Sequence, residues 1–456
     1  MSAFMEMAQD GEWLRVLLLR DYNTRVVMAG TLLLGLASGV IGTFLLLRKR
    51  ALLGDAVSHA TLPGIAIAFM IMVAFGGLGK QLEGLLLGGL VAGLAGMGCV
   101  LLIRRYTRLK EDAALGIVLS VFFGLGIALL GIIQRMESGH AAGLESFIYG
   151  KTAAMLARDA QWIAGCALVI LLAGAALYKE FSLLCFDEEY AGSQGWPVVW
   201  LDVVMLGLVV VTTVIGLQAV GLILMIALLI IPPAAARFWT NRLRSMLLIS
   251  GGMGAFSGFA GALISASFPR LPAGAIIVTV AGAVFLFSMA FGSARGVLYR
   301  AVDHVRVKRN TVREHLLRAV YEHHERHQPE WTPREASALV DVPVSLDEIM
   351  GARSWTPRSF RRVVRSLQRA HRIRLDDRNA LRLTTDGLRE AQRIVRNHRL
   401  WEMYLIRHAD IAPGHVDRNA DRIEHVLGPE LVHELEELLK ADTERRNVPP
   451  SPHALS

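Results

Sequence analysis

Nine predominantly apolar stretches recur along the chain, at 26–47, 57–75, 82–103, 113–133, 160–177, 200–218, 222–239, 246–266 and 273–291. A helix of about 20 such residues crosses the hydrocarbon of a bilayer. The pattern therefore predicts an all-α polytopic membrane protein of about nine transmembrane helices, or eight if two stretches pair as a broken unit. From residue 312 the periodicity becomes that of soluble amphipathic helices, with Leu316, Leu317, Val320 and Tyr321 forming one apolar stripe. Thr332-Pro333 and Thr356-Pro357 each set a capping residue before a first-turn proline, which starts a second and a third helix. The third places Phe360, Val363, Val364 and Leu367 on one face and Arg358, Arg361, Arg362, Arg365 and Arg369 on the other. Two short alternating runs, Arg372 to Leu375 and Ala380 to Leu383, flank a polar turn and read as a hairpin. Three helices and a two-stranded wing are the plan of a winged helix-turn-helix.

Composition separates the same two parts. Residues 300–456 hold 28 Lys and Arg and 24 Asp and Glu, which leaves 20 and 16 for the first 299 positions. Twelve of the 14 histidines also lie after residue 299. A single soluble enzyme is excluded. Basic clusters at Arg48-Lys49-Arg50, at Arg104, Arg105, Arg108 and Lys110, and at Arg237, Arg242 and Arg244 mark cytoplasmic loops by the positive-inside rule. With nine spans this puts the amino terminus outside and everything after 291 in the cytoplasm. Acidic and basic residues break up the first 25 positions, so no cleavable leader is expected. Cys99, Cys166 and Cys185 form no CxxC, against a thiolate metal site or a disulfide framework. The expected plan is an N-terminal segment (1–25), a transmembrane domain (26–295), a linker (296–311), a winged helix (312–383), a helical region (384–440) and a proline-containing disordered tail (441–456).

Polar groups at membrane depth are costly and therefore informative. Asp55 and His59 are four residues apart on one helix face, and carboxylate plus imidazole is half a coordination shell for a divalent transition metal. The same pair also reads as an interfacial cap and a hydrogen-bonded histidine. The run Arg50 to Asp55, with Ser58-His59 and Leu62-Pro63-Gly64, resembles the signature of the membrane subunits of manganese, zinc and iron ABC importers. Phe186 to Ala191 with Gly195-Trp196 is similar to that family's ATPase-docking loop, and Val220 to Arg237 to its late helix. The resemblance implies a permease, not an enzyme, in the cell's inner (plasma) membrane, with Asp55 and His59 on the metal and Asp187, Glu188, Glu189 and Gly195 at the docking surface. It also implies three partners: an ABC ATPase subunit, an extracytoplasmic metal-binding protein and a second permease subunit, identical or not. No phosphate-cradling GxxxxGK[ST] occurs, in keeping with hydrolysis on a separate chain. The permease itself needs no cofactor.

Between Arg353 and Arg399 there are 14 Arg against four acidic residues, a charge suited to DNA phosphates or to anionic lipid headgroups. Residues 312–439 resemble the diphtheria-toxin-repressor and manganese-repressor family through Leu381 to Thr384, Gly387, His398 to Glu402 and Ala420 to Leu427. That resemblance implies a divalent metal (Mn, Fe or Zn) at His398, Glu402, Asp421, Glu424 and His425, with His315 at the first-helix ligand position. Spacing agrees, since His398 with Glu402, and Asp421 with Glu424 and His425, share helix faces, and N/O donors without thiolate suit manganese or iron. Two departures are His315, not the usual residue there, and a segment 342–353 longer than a tight helix-turn-helix needs. His323, His324 and His327 are expected on a solvated face. The whole predicts a divalent-metal permease, manganese first, fused to a metal-responsive domain. The competing expectations are a membrane-tethered, metal-dependent DNA-binding regulator, and a tail that gates the pore.

Overall fold

A computed structural model describes residues 21–50, 52–76, 81–136, 150, 152–268, 271–327, 340, 342–352, 355–376, 380–408 and 435. The chain divides into two compact units, residues 1–300 and 301–456.

The first unit is helical: α1 (Tyr22–Leu47), α2 (Leu53–Ala74), α3 (Leu82–Tyr106), α4 (Glu111–Gln134), α5 (Ala157–Ala176), α6 (Tyr178–Phe186), α7 (Glu188–Ser193), α8 (Val198–Val220), α9 (Leu222–Ala236), α10 (Leu243–Ser267) and α11 (Ala273–Phe291). Among the described residues eight of these are long and apolar enough to span a membrane, and α9, at 15 residues, is an apolar helix of shorter length. Contacts sort the helix ends into two sets. At one end Asn23 Nδ2 donates to the Ala153 carbonyl, Arg158 pairs with Glu83, and Gln218 Nε2 donates to Asp159. At the other, Arg48, Arg50 and Arg104 meet Glu111, Glu188 and Asp202. Gly221, at φ +82°, joins α8 to α9 in a conformation that favours glycine, and the chain folds back there, bringing Met225 against Gly216. The end of α9 then meets the end of α11, where Ala294 N–H donates to the Phe238 carbonyl. Nine apolar helices thus alternate in direction among the described residues, as the basic loops require.

Helices in lipid gain nothing by hiding apolar surface from water, so close packing and hydrogen bonds associate them. Small residues serve that end twice. On α1 and α10, Thr31, Gly35 and Gly39 face Ser250, Gly254 and Gly258, so closely that a Cβ at Gly35 would strike the Gly254 carbonyl. Thr31 Oγ1 donates to the Gly258 carbonyl at 3.0 Å and Ser250 Oγ to the Gly39 carbonyl at 2.7 Å. On α2 and α3, Ala60, Gly64 and Ala68 meet Gly88, Ala92 and Gly96 in the same way. In α9, Pro233 has no N–H to give to the Leu229 carbonyl, and it is this carbonyl that backs onto Gly42 of α1.

The second unit contains most of α12 (Val297–His327), then β1 (Val344–Ser345), α13 (Leu346–Ala352), α14 (Pro357–Arg369), β2 (Ile373–Leu375), β3 (Ala380–Leu383) and α15 (Thr385–His408). The strands form one antiparallel sheet in the order β1-β3-β2, with Val344 opposite Leu381 and Ile373 opposite Leu383. Leu316, Val320, Tyr321, Ile349, Phe360, Val364, Leu381 and Leu383 make its core. The segment 342–353 is therefore not a long turn inserted in a helix-turn-helix. It supplies the third strand and the helix α13 that precedes α14, so the winged-helix geometry is intact. The helix expected to start at Thr332, the N-terminal segment up to residue 20 and the tail 441–456 lie outside the described residues.

Candidate functional sites

Asp55 and His59 stand on the first two turns of α2, with His59 Nε2 3.3 Å from Asp55 Oδ1. No capping hydrogen bond forms at the start of α2, so Asp55 is not its cap. The imidazole packs edge-on against Phe123 of α4 at 4.6 Å, and its Nδ1 is buried without a hydrogen-bond partner. Asp55 keeps 31% of its side chain exposed. A carboxylate left facing lipid is costly. Among the described residues no group of three or more His, Cys, Asp or Glu could hold a metal, which leaves the pair as two donors.

Asp187 accepts from the Tyr190 N–H at 2.8 Å and caps α7, whose first turn carries Glu188 and Glu189. Acidic residues there complement the helix dipole. Gly195 takes φ +81° and ends the segment, followed by a shallow apolar groove lined by Trp196, Pro197, Val199 and Trp200. Tyr190, Trp196 and Trp200 are exposed around it. The sequence also holds a network that the motif reading missed. Arg50, 3% exposed, binds both Asp202 oxygens through Nη1 at 2.7 and 2.8 Å and Glu111 Oε1 through Nε at 2.5 Å. Arg48 reaches Asp202 Oδ1 at 3.2 Å, Glu188 Oε2 at 2.9 Å and the Leu184 carbonyl at 2.8 Å. Arg104 completes the ring, 3.6 Å from Glu111 and 3.5 Å from Glu188. Thus α7 is ionically continuous with the α1–α2 turn, five residues before Asp55. The readable signal was the isolated Asp202 within the apolar run 200–218.

In the second unit Arg358, Arg361, Arg362, Arg365 and Arg369 are all exposed on α14, opposite buried Phe360, Val363, Val364 and Leu367. The predicted faces are those observed. Of the candidate sensor ligands, Asp421, Glu424 and His425 lie outside the described residues. His315 is partly buried on α12, while His398 and Glu402 of α15 are each 1% exposed and joined at 3.0 Å between Nε2 and Oε1. Arg318, missed in the sequence, sits against them, its Nη1 2.8 Å from His398 Nδ1 and its Nε 2.5 Å from Glu322 Oε1. Beside it Arg399 pairs with Glu325. The solvated histidine face is corrected in one respect: His324 is buried, and desolvation, with His323 and His327 adjacent, lowers its pKa to about 4. His323 and His327 stack at 4.2 Å. Val320 and Tyr321 draw that side of α12 into the core, taking His324 with them.

Alternating apolar helices carrying a carboxylate and an imidazole one turn apart have the build of a membrane transport protein. A family model described as the ABC 3 transport family matches residues 20–292, and the chain belongs to that family. Residues 384–452 match the iron dependent repressor, metal binding and dimerisation domain. The manganese transport system membrane protein MntC of Bacillus subtilis is 39% identical over 400 residues, covering 88% of this chain and 87% of its own. An alignment of that length extends beyond the first unit into the second. The zinc transport system membrane protein TroC of Treponema pallidum is 44% identical over 283 residues, 62% of this chain and 93% of its own. Among solved structures, PsaBC from Streptococcus pneumoniae in complex with Fab aligns at 30% identity and a TM-score of 0.54, covering 64% of this chain and 97% of that one.

The ion network makes a stability prediction. Asp202→Asn leaves two buried guanidinium groups without their shared carboxylate and is expected to cost about 3–5 kcal/mol. Glu188→Gln, at a side chain 41% exposed, should cost less than about 1 kcal/mol. Thermal melts of the two purified variants in one detergent check the contrast.

Proposed function

We propose that the chain is the permease subunit of an ABC importer for a divalent transition metal, manganese first, and that Asp55 and His59 are ligands on the transport path. The observation that carries this is the pair itself: a carboxylate and an imidazole one helical turn apart, with a buried ring nitrogen that nothing in the described residues engages. Nitrogen and oxygen donors accept manganese, iron and zinc alike. Two donors are half of a four-donor set, and Asp55 keeps part of its side chain exposed for the rest. A second permease subunit packed there supplies the other half, and the metal crosses between subunits that open alternately to the two sides. The names of the relatives, which specify manganese and zinc transport systems, support this substrate class.

The energy source in this reading is a separate ATPase subunit docked on α7 and the apolar groove beside Trp196 and Trp200. Its movement reaches α2 through Glu188, Arg48, Asp202 and Arg50, a linkage of charged groups that cannot slide past one another without breaking buried pairs. An extracytoplasmic binding protein delivers the metal at the opposite end. The second unit lies in the cytoplasm and responds to metal bound at His398, Glu402, Asp421, Glu424 and His425. His315 is a further donor on α12. The arginine face of α14 supports contact with DNA as a second activity, through Arg358, Arg361, Arg362, Arg365 and Arg369.

In membrane vesicles containing the assembled transporter, Asp55→Ala and His59→Ala should each abolish manganese and zinc uptake while the subunits still assemble. Normal accumulation of both metals by both variants would refute the assignment. Glu188→Ala with Gly195→Ala should lower metal-stimulated ATP hydrolysis and co-purification of the ATPase without reducing membrane insertion. Deleting residues after Arg306 should leave uptake active and relieve its inhibition by internal metal. Identical uptake by intact and truncated proteins at every internal metal level would instead assign the second unit to DNA.

A further inference from the structure

Arg318 is bound to one of the two candidate metal ligands of α15. It reaches from α12 to α15, where it is 3% exposed beside His398 and Glu402, each 1% exposed. A guanidinium only donates hydrogen bonds. Its Nη1, 2.8 Å from His398 Nδ1, therefore requires that nitrogen to be unprotonated and accepting. The ring proton then sits on Nε2, which donates to Glu402 Oε1 at 3.0 Å. Glu322, one turn along α12, holds the guanidinium from the other side at 2.5 Å.

This tautomer excludes a metal at either ring nitrogen while Arg318 stays. Binding at Nδ1 takes the lone pair that the guanidinium uses. Binding at Nε2, the nitrogen facing Glu402, moves the ring proton to Nδ1, where it confronts the guanidinium N–H donors. A dication beside a buried guanidinium also meets like-charge repulsion. We propose that Arg318 is an internal cation that competes with metal for His398 and Glu402, so that metal enters only by displacing it. The cytoplasmic unit then responds only at high metal concentration. This rests on the reading that His398 and Glu402 are metal ligands.

The test uses the full-length protein in lipid nanodiscs, carrying Asp55→Ala so that the transport pair does not contribute, with Mn²⁺ binding measured by equilibrium dialysis. Arg318→Gln should tighten binding by about tenfold or more, the scale of one charge-assisted hydrogen bond. Glu322→Gln, which loosens the hold on Arg318 but leaves His398 and Glu402 in place, should tighten it in the same direction. Arg318→Lys, with a shorter and non-planar head group, should give an intermediate affinity. A purely structural Arg318 predicts weaker binding in the first two variants, and that result would overturn the proposal. Binding that Glu402→Gln removes but that neither Arg318→Gln nor Glu322→Gln tightens overturns the competition alone. No Mn²⁺ binding in any variant overturns both the competition and the sensor reading beneath it.

Discussion

The ion pair between Arg50 and Asp202 holds the first unit in register. It is sealed from solvent, and it joins the α1–α2 turn to α8 at the end of the bundle where α7 also lies. Two charges in such a place favour one arrangement, because a slip of α8 along the bundle takes Asp202 away from both Arg50 and Arg48. Arg48 and Arg104 extend the pair to Glu188, so the short helix exposed at that end is tied to the helix that carries Asp55 and His59. Small residues set the spacing of the helices, and the charges set their height. The α1–α10 and α2–α3 contacts bring backbones together over residues 31–39 of α1 and 60–68 of α2.

Much of this was legible from one sequence. Apolar run length located the spans, and the basic clusters at Arg48, Arg50 and Arg104 fall at one end of the bundle. Asp55 and His59 declared themselves by being polar where polarity is costly. The α14 faces followed from helical periodicity, with Phe360 inward and Arg361 outward. What stayed hidden has common causes. Arg50 looked like one more basic loop residue because its partner Asp202 lies 152 positions away. Arg318 and Glu322 carry no signal of their own beside the apolar stripe, since burial of a charge depends on the helix that covers it. The strand β1 escaped because two residues carry no periodicity, so the segment 342–353 looked like an insertion although its chain pairs with β3.

In the second unit the scaffold and the buried charges are held by different residues. Phe360, Leu381 and Leu383 preserve the core that positions α14, and Thr384 caps α15 through the Gly387 N–H. Gly387 itself has no room for a side chain, because the Arg372 carbonyl lies against it. At the α12–α15 contact Arg318 meets Glu322 and His398, and His398 in turn meets Glu402.

The shortness of α9 has a mechanical consequence. At 1.5 Å per residue its 15 residues rise about 22 Å, well below the roughly 30 Å of hydrocarbon in a typical bilayer. A lone helix of that length would thin the surrounding lipid. Here α1, α10 and α11 wrap it, and of its side chains only Ile223 is exposed. Elastic stress from membranes of different thickness therefore falls on the outer helices, while the innermost column keeps its own length.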